Sequence, residues 1–154
     1  MKHLTITFAL GALLLLCSNC RQIEILNDNA MPIPYTTLEN YFVRNDVDCS
    51  KEQRLTFYNK QDFEGYFGMA AYMGGRPTEI NWNKQYVVAL VLPETNRETS
   101  IEPVNVKVGD NQYLVFSYHI KKGDKMSHKI VPFTAVAIDK PASDMQMTVF
   151  YLEK

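Results

Sequence analysis

Charge of one sign is missing from this chain. Its 16 lysines and arginines nearly balance 17 aspartates and glutamates, for a net charge of −1. Lys2 is the only charged side chain in residues 1–19, so the remainder is slightly acidic and offers no basic field to nucleic acid. Cysteine is scarce, at three residues, too few for a disulfide framework that could stand in for a hydrophobic core. Catalytic signatures are missing as well. There is no Gly-x-Ser-x-Gly, no His-Glu-x-x-His and no pair of carboxylates at i, i+3 or i, i+4 on a pocket-facing helix. Gly74-Gly75-Arg76 lacks the Lys-Ser/Thr and the following helix of a phosphate loop, so it reads as a helix end. No internal repeat or low-complexity tract is present. The chain is therefore not expected to be an enzyme, and nothing in it calls for a cofactor.

Apolar residues suffice for one core. Nine tyrosines, eight phenylalanines and a single tryptophan stand in a chain that is 46% hydrophobic, which suits one domain of this length.

The N-terminus carries an export signal. Lys2 and His3 precede an apolar run from Leu4 to Leu16, which turns polar at Cys17-Ser18-Asn19-Cys20. The run is shorter than the roughly 20 residues of a membrane-spanning helix. A cysteine closing such a leader resembles a bacterial lipobox. Cys20, preceded by the small Ser18 and Asn19, is the expected lipidation site, with Cys17, preceded by bulky Leu16, as the alternative. The organisation expected is a signal peptide over 1–19, a lipidated tether over 20–34 and a single globular domain over 35–154. The location expected is the bacterial cell envelope, anchored by lipid to the outer or inner membrane. With Cys20 acylated, Cys49 is a free thiol. With processing at Cys17, Cys20 and Cys49 could pair.

The organising stretch is Gln85 to Pro93. It has no polar alternation: Tyr86, Val88, Leu90 and Leu92 face one way and Val87, Ala89 and Val91 the other, so a strand here must be covered on both faces. Upstream, Tyr41-Phe42-Val43 and Arg54 to Tyr58 read as strands. Asn59 reads as the N-cap of a covering helix with Phe63, Tyr66, Phe67, Ala70 and Ala71 at helical spacing, ending at Gly74-Gly75. Trp82 reads as a packing lid.

Downstream the pattern is a meander. A turn at Gly109-Asp110-Asn111 sets Val106 opposite Leu114 and Val104 opposite Phe116. A second turn at Gly123-Asp124 faces Lys122 with Lys125, Phe116 with Val131 and Leu114 with Phe133. It also brings His119 opposite His128, a pair able to hold a metal ion, with Asp110, Asp124 and Asp139 near in sequence but no evident third ligand. Pro132 marks a sheet edge or a bulge, and Met147 to Leu152 is a final strand. The fold expected is α+β: one β-rich antiparallel sheet of about five to seven strands, with room for strong curvature, and one main helix packed on it.

The order of these elements resembles a known family. A leading strand Tyr41 to Arg44, the helix with Asp62-Phe63-Glu64-Gly65-Tyr66-Phe67, the approach Ile80-Asn81-Trp82-Asn83-Lys84 to Tyr86-Val87-Val88-Ala89, and Ile130-Val131-Pro132 through Asp139-Lys140 are similar to the C-terminal domain of the PrcB family. That resemblance covers roughly residues 41 to 140. It implies a small exported protein, often a lipoprotein, named for a subunit of a surface protease complex, and it assigns no functional residue. Thr95-Asn96-Arg97-Glu98-Thr99 stands where the family often has a Gly-Tyr step.

Taken together, these features point to a noncatalytic envelope lipoprotein that binds another exported protein, of which a protease or a component of its complex is the expected class. Contact is expected through a sheet edge near Pro132 or the adjoining loops. The alternative is a small-molecule or glycan binder using Trp82 and the tyrosines.

Overall fold

A computed structural model describes residues 22–23, 26–70, 75–109, 113–140 and 147–154. The leader with Cys17 and Cys20, and also Gly74, Asp110 and Pro141, lie outside the described residues.

The doubly apolar stretch is a strand, β6 (Gln85–Val91), and both its faces are buried. It lies inside a four-stranded sheet ordered β2 (Thr36–Thr37), β9 (Phe133–Asp139), β6, β4 (Gln53–Phe57). A second four-stranded sheet is ordered β1 (Met31–Ile33), β7 (Thr95–Gly109), β8 (Tyr113–Ile130), β10 (Thr148–Glu153). A two-stranded sheet joins β3 (Tyr41–Val43) to β5 (Phe67–Met69). The architecture is thus α+β and mostly strand, but it has two main sheets and more strands than the single sheet expected.

The two main sheets pack face to face. Tyr86, Val88 and Leu90 of β6 and Val136 and Ile138 of β9 share one core with Val106 of β7, Leu114, Phe116 and Tyr118 of β8, and Tyr151 of β10. The opposite face of β6, with Val87, Ala89 and Val91, shares a second core with Phe63 of the helix α1 (Lys60–Tyr66), Phe57 of β4 and Phe67 of β5, and half-buried Trp82 lies 5.4 Å from the Phe63 ring. Complete burial of a large aliphatic side chain contributes about 1.5–3 kcal/mol, which explains why a strand with no polar face is stable only between two such layers.

Asn59 caps α1 as the sequence indicates. Its side chain accepts a hydrogen bond from the Asp62 amide at 2.9 Å, and Asp62 sits in the electropositive first turn. The helix nevertheless ends at Tyr66 rather than at Gly74-Gly75. Gly65 and Gly68 each weaken a helix by about 1 kcal/mol relative to Ala, and the chain beyond gains more by pairing Phe67–Met69 with β3. Gly68 lies opposite Phe42, and a Cβ on it would stand 2.4 Å from that ring, so only glycine admits the ring here.

Three further expectations are corrected. The β7–β8 ladder runs Val108↔Leu114 and Val106↔Phe116, two residues displaced from the expected register; a shift of two preserves which face each side chain occupies, so apolar still meets apolar. The turn at Gly123-Asp124 does not form. Among the described residues no glycine has a positive φ, which a type II′ turn requires, and Lys121 to Lys125 instead continue β8 opposite Arg97 to Ser100. The last strand, β10, pairs parallel to β8, which requires the chain to cross through the other sheet first.

The stretch expected to be a tether packs on the domain. Met31–Ile33 pairs with β7 as β1, Ala30 is buried beside Tyr113 and Val115, and the Tyr113 hydroxyl donates to the Leu26 carbonyl at 3.0 Å. Packing therefore reaches upstream of Tyr35 at least as far as Leu26.

Candidate functional site

Strands β6, β7, β8 and β9 form one long bent hairpin. Pairing runs from Gln85↔Asp139 to Val91↔Phe133 in one sheet, resumes at Thr95↔Ile130 and ends at Gly109↔Tyr113 in the other. The hairpin is folded over so that its two halves face each other across the core. Pro93 and Pro132 sit at the fold-over, where neither can donate to a ladder. The Leu92 amide donates to the Pro132 carbonyl at 2.9 Å and keeps the two strands joined there. Pro132 is buried and β9 lies inside its sheet, so Pro132 marks a junction between strands and not an edge.

Beyond the fold-over the hairpin is a two-stranded ribbon. Two steps on β7, Thr95 to Thr99 by way of Arg97, match Ile130, Lys125 and Lys122 on β8, so β8 carries extra residues as bulges. Bulges of this kind bend the longer strand and increase its twist. The concave side of the bend is a cleft of about 490 Å³. Thr95, Arg97, Thr99 and Lys122 line its ribbon wall, and Glu52 and Glu153 line the wall opposite.

Both outer edges of the ribbon are bare among the described residues. The β10 ladder reaches β8 only as far as Glu153↔Tyr118, and β1 meets β7 only at Val106 to Val108. The backbone of residues 119–130 and 95–105 therefore has no ladder partner on its outward side among the described residues, although on β7 side chains already engage the Arg97 amide and carbonyl and the Pro103 carbonyl.

Charges on the ribbon are unevenly shared. β8 supplies Lys121, Lys122, Lys125 and Lys129 with Asp124, while β7 and its entry supply Glu94, Glu98 and Glu102 with Arg97. Lys129 pairs with Glu94 at 2.6 Å and Lys121 with Glu102 at 2.7 Å. Arg97 stands directly opposite Lys125, and its guanidinium donates to the Gly123 carbonyl at 3.4 Å. Neither Lys122 nor Lys125 makes an ion pair among the described residues.

The proposed imidazole pair is not assembled. His119 and His128 lie on the same strand, His119 opposite Glu102, and its Nδ1 donates to the Lys154 carbonyl at 2.6 Å. Among the described residues no group of three His, Cys, Asp or Glu is placed to hold a metal ion.

Among the described residues Cys49 has no disulfide partner, and it is half-buried in a second cleft with Asp48, Ser50 and Glu94. Burial pushes its thiol above the usual range, and Asp48 and Glu94 push it further, so the thiolate needed for nucleophilic attack is disfavoured. Burial likewise raises the nearby Tyr66 hydroxyl to about 12, with Cys49 and Asp48 adding to the effect. Trp82 borders a third cleft of about 570 Å³ together with Glu79, Asn81, Asn83 and Gln85.

Sequence reasoning brought Lys122 and Lys125 together across a turn but missed Arg97 as their neighbour, because a turn at Gly123 leaves β7 no place opposite Lys125. The available signal was the pair of prolines, Pro93 and Pro132, flanking two strand-forming runs of similar length on either side of Asp110-Asn111. Comparison of the chain with protein-family models, with characterised proteins and with solved structures finds no match.

Proposed function

We propose that the protein is a noncatalytic lipoprotein of the bacterial cell envelope that binds an extended segment of another exported protein. The observation that carries this reading is the ribbon's bare outer edge along His119 to Ile130, where an added strand would meet unused backbone donors and acceptors. The leader ending at Cys20 supplies the location. Resemblance to the PrcB family supplies the class of partner, a protease or a component of its complex. Among the described residues no helix is long and apolar enough to cross a membrane.

Site-specific photocrosslinking in intact cells tests this reading. A photoreactive residue at Ser127, on the ribbon, is expected to capture one exported protein, identified by mass spectrometry. The same residue at Lys60, on the far layer, is expected to capture none. Equal capture from both positions, or none from either, overturns it.

The second reading is a glycan or small-molecule site at the Trp82 cleft, favoured by the amides of Asn81, Asn83 and Gln85 around it. Against it, the Trp82 ring is already committed to packing on Phe63. Saturable glycan binding lost on Trp82→Ala, together with silent ribbon crosslinks, would select this alternative.

A further inference from the structure

The ribbon's charges identify the chemistry of the segment it accepts. Cross-strand neighbours on a two-stranded ribbon stabilise it when their charges oppose and destabilise it when they match. Elsewhere on this ribbon opposite charges reach each other across the strands, Glu94 with Lys129 and, diagonally, Glu102 with Lys121. The rule is broken at one place. Arg97 faces Lys125, Lys122 lies one bulge further along, and none of the three has a carboxylate in an ion pair among the described residues. Carboxylates are near, but none forms an ion pair with them among the described residues: Glu98 lies over Gly123, where a Cβ would stand 2.7 Å from its carboxylate oxygen, Asp124 is exposed on the same strand, and Glu153 and the Arg54-paired Glu52 line the far wall of the cleft.

Lysines on an exposed edge discourage neutral strands and second copies from adding there, because each would bury or crowd uncompensated charge. The same lysines favour a strand that brings carboxylates, since each added pair replaces a repulsion with an attraction and steers the encounter. From this charge complementarity we infer that the occupant of the β8 edge is an extended acidic segment, with Asp or Glu at alternating positions that meet Lys122 and Lys125, and Arg97 across the ribbon. This inference rests on the proposed strand-adding function and specifies its ligand.

Fluorescence anisotropy of the full-length chain in mild detergent tests it with three labelled decapeptides: alternating Glu and Val, alternating Lys and Val, and a Glu-Val peptide with proline at alternate Val positions. The acidic peptide is expected to bind at least tenfold more tightly than the basic one and to weaken as salt rises. The paired substitution Lys122→Glu and Lys125→Glu, at exposed positions, is expected to reverse the preference. Proline is expected to abolish binding, because it removes the amides a ladder needs.

Each failure has a separate meaning. Equal binding of acidic and basic peptides, or a preference unmoved by the charge reversal, overturns the acidic ligand while leaving strand addition standing if proline still abolishes binding. Undiminished binding of the proline peptide overturns strand addition itself. Concentration-dependent self-association that competes with the acidic peptide would assign the edge to a second copy and overturn the inference.

Discussion

The Tyr151 hydroxyl lies 2.9 Å from the carbonyl oxygen of Leu55 and 3.1 Å from that of Ala89, two residues that are themselves cross-strand partners. Tyr151 belongs to the sheet that carries β7 and β8, whereas Leu55 and Ala89 belong to the other. One buried hydroxyl therefore bonds across the sandwich, and Arg54 caps its ring with the guanidinium carbon 5.5 Å from the centroid.

Replacing Tyr151 with Phe keeps the ring and removes the donor. A net loss of about 1 kcal/mol is expected for the bond, rising to about 2 kcal/mol because buried carbonyls lose a partner. Urea unfolding of the variant should show a lower midpoint with an unchanged slope. A changed slope would mean that the sheets had separated in the native state.

Alkaline pH tests the same residue from another side. Burial raises the hydroxyls of Tyr151 and Tyr86 well above the ordinary tyrosine range. A group whose folded value is raised holds its proton more tightly when folded, so its stabilisation is complete below about pH 10 and is lost as pH climbs through the folded value. Stability measured by denaturant titration should therefore be flat near neutrality and fall above about pH 10. Tyr151→Phe should flatten that fall, since one of the groups that drives it is gone.

How much of this was legible in sequence depends on which force decided each element. β6 was legible because burial decided it, and an all-apolar strand has few alternatives. The Asn59 cap was legible because a local hydrogen bond decided it. The end of α1 was not, since Phe67 fits a helical stripe as well as a strand, and its pairing with β3 is a long-range choice. The Gly123 turn failed for a related reason. Gly-Asp is strong local turn chemistry, but β7 offers a partner along its whole length, and ladder pairing over Thr95 to Ser100 outweighs one turn. The candidate site fell with that turn, because Lys122 and Lys125 would then have sat at a tip and not along an edge.

The Phe42 and Gly68 pair gives a prediction on coupling. Gly68→Ala puts a methyl group into the Phe42 ring and is expected to destabilise by about 1–3 kcal/mol, the usual range for overpacking. In a Phe42→Ala background the same substitution should cost less, giving a coupling of about 0.5 kcal/mol or more in a double-mutant cycle. Additive costs would show that the glycine is required by its backbone and not by the ring above it.

The proposed lipid anchor gives the last prediction, and the packing of the N-terminal segment sharpens it. Packing reaches at least as far as Leu26, where the Tyr113 hydroxyl and the Lys107 ammonium donate to the Leu26 and Asn27 carbonyls. If Cys20 is the acylated residue, the link to the domain spans at most about 20 Å even when fully extended. The domain is then held against the bilayer with the β1 side nearest the surface. A lipoprotein terminus carries more than one acyl chain, enough for stable retention where a single chain would be marginal. Metabolic labelling with a palmitate analogue should mark the protein, and Cys20→Ser should abolish the label and release the chain from the membrane fraction. Labelling that survives Cys20→Ser and disappears in Cys17→Ser would move the anchor three residues upstream and lengthen the link by about 10 Å. No label on the unsubstituted chain would remove the anchor from the proposal and leave a plain secreted protein.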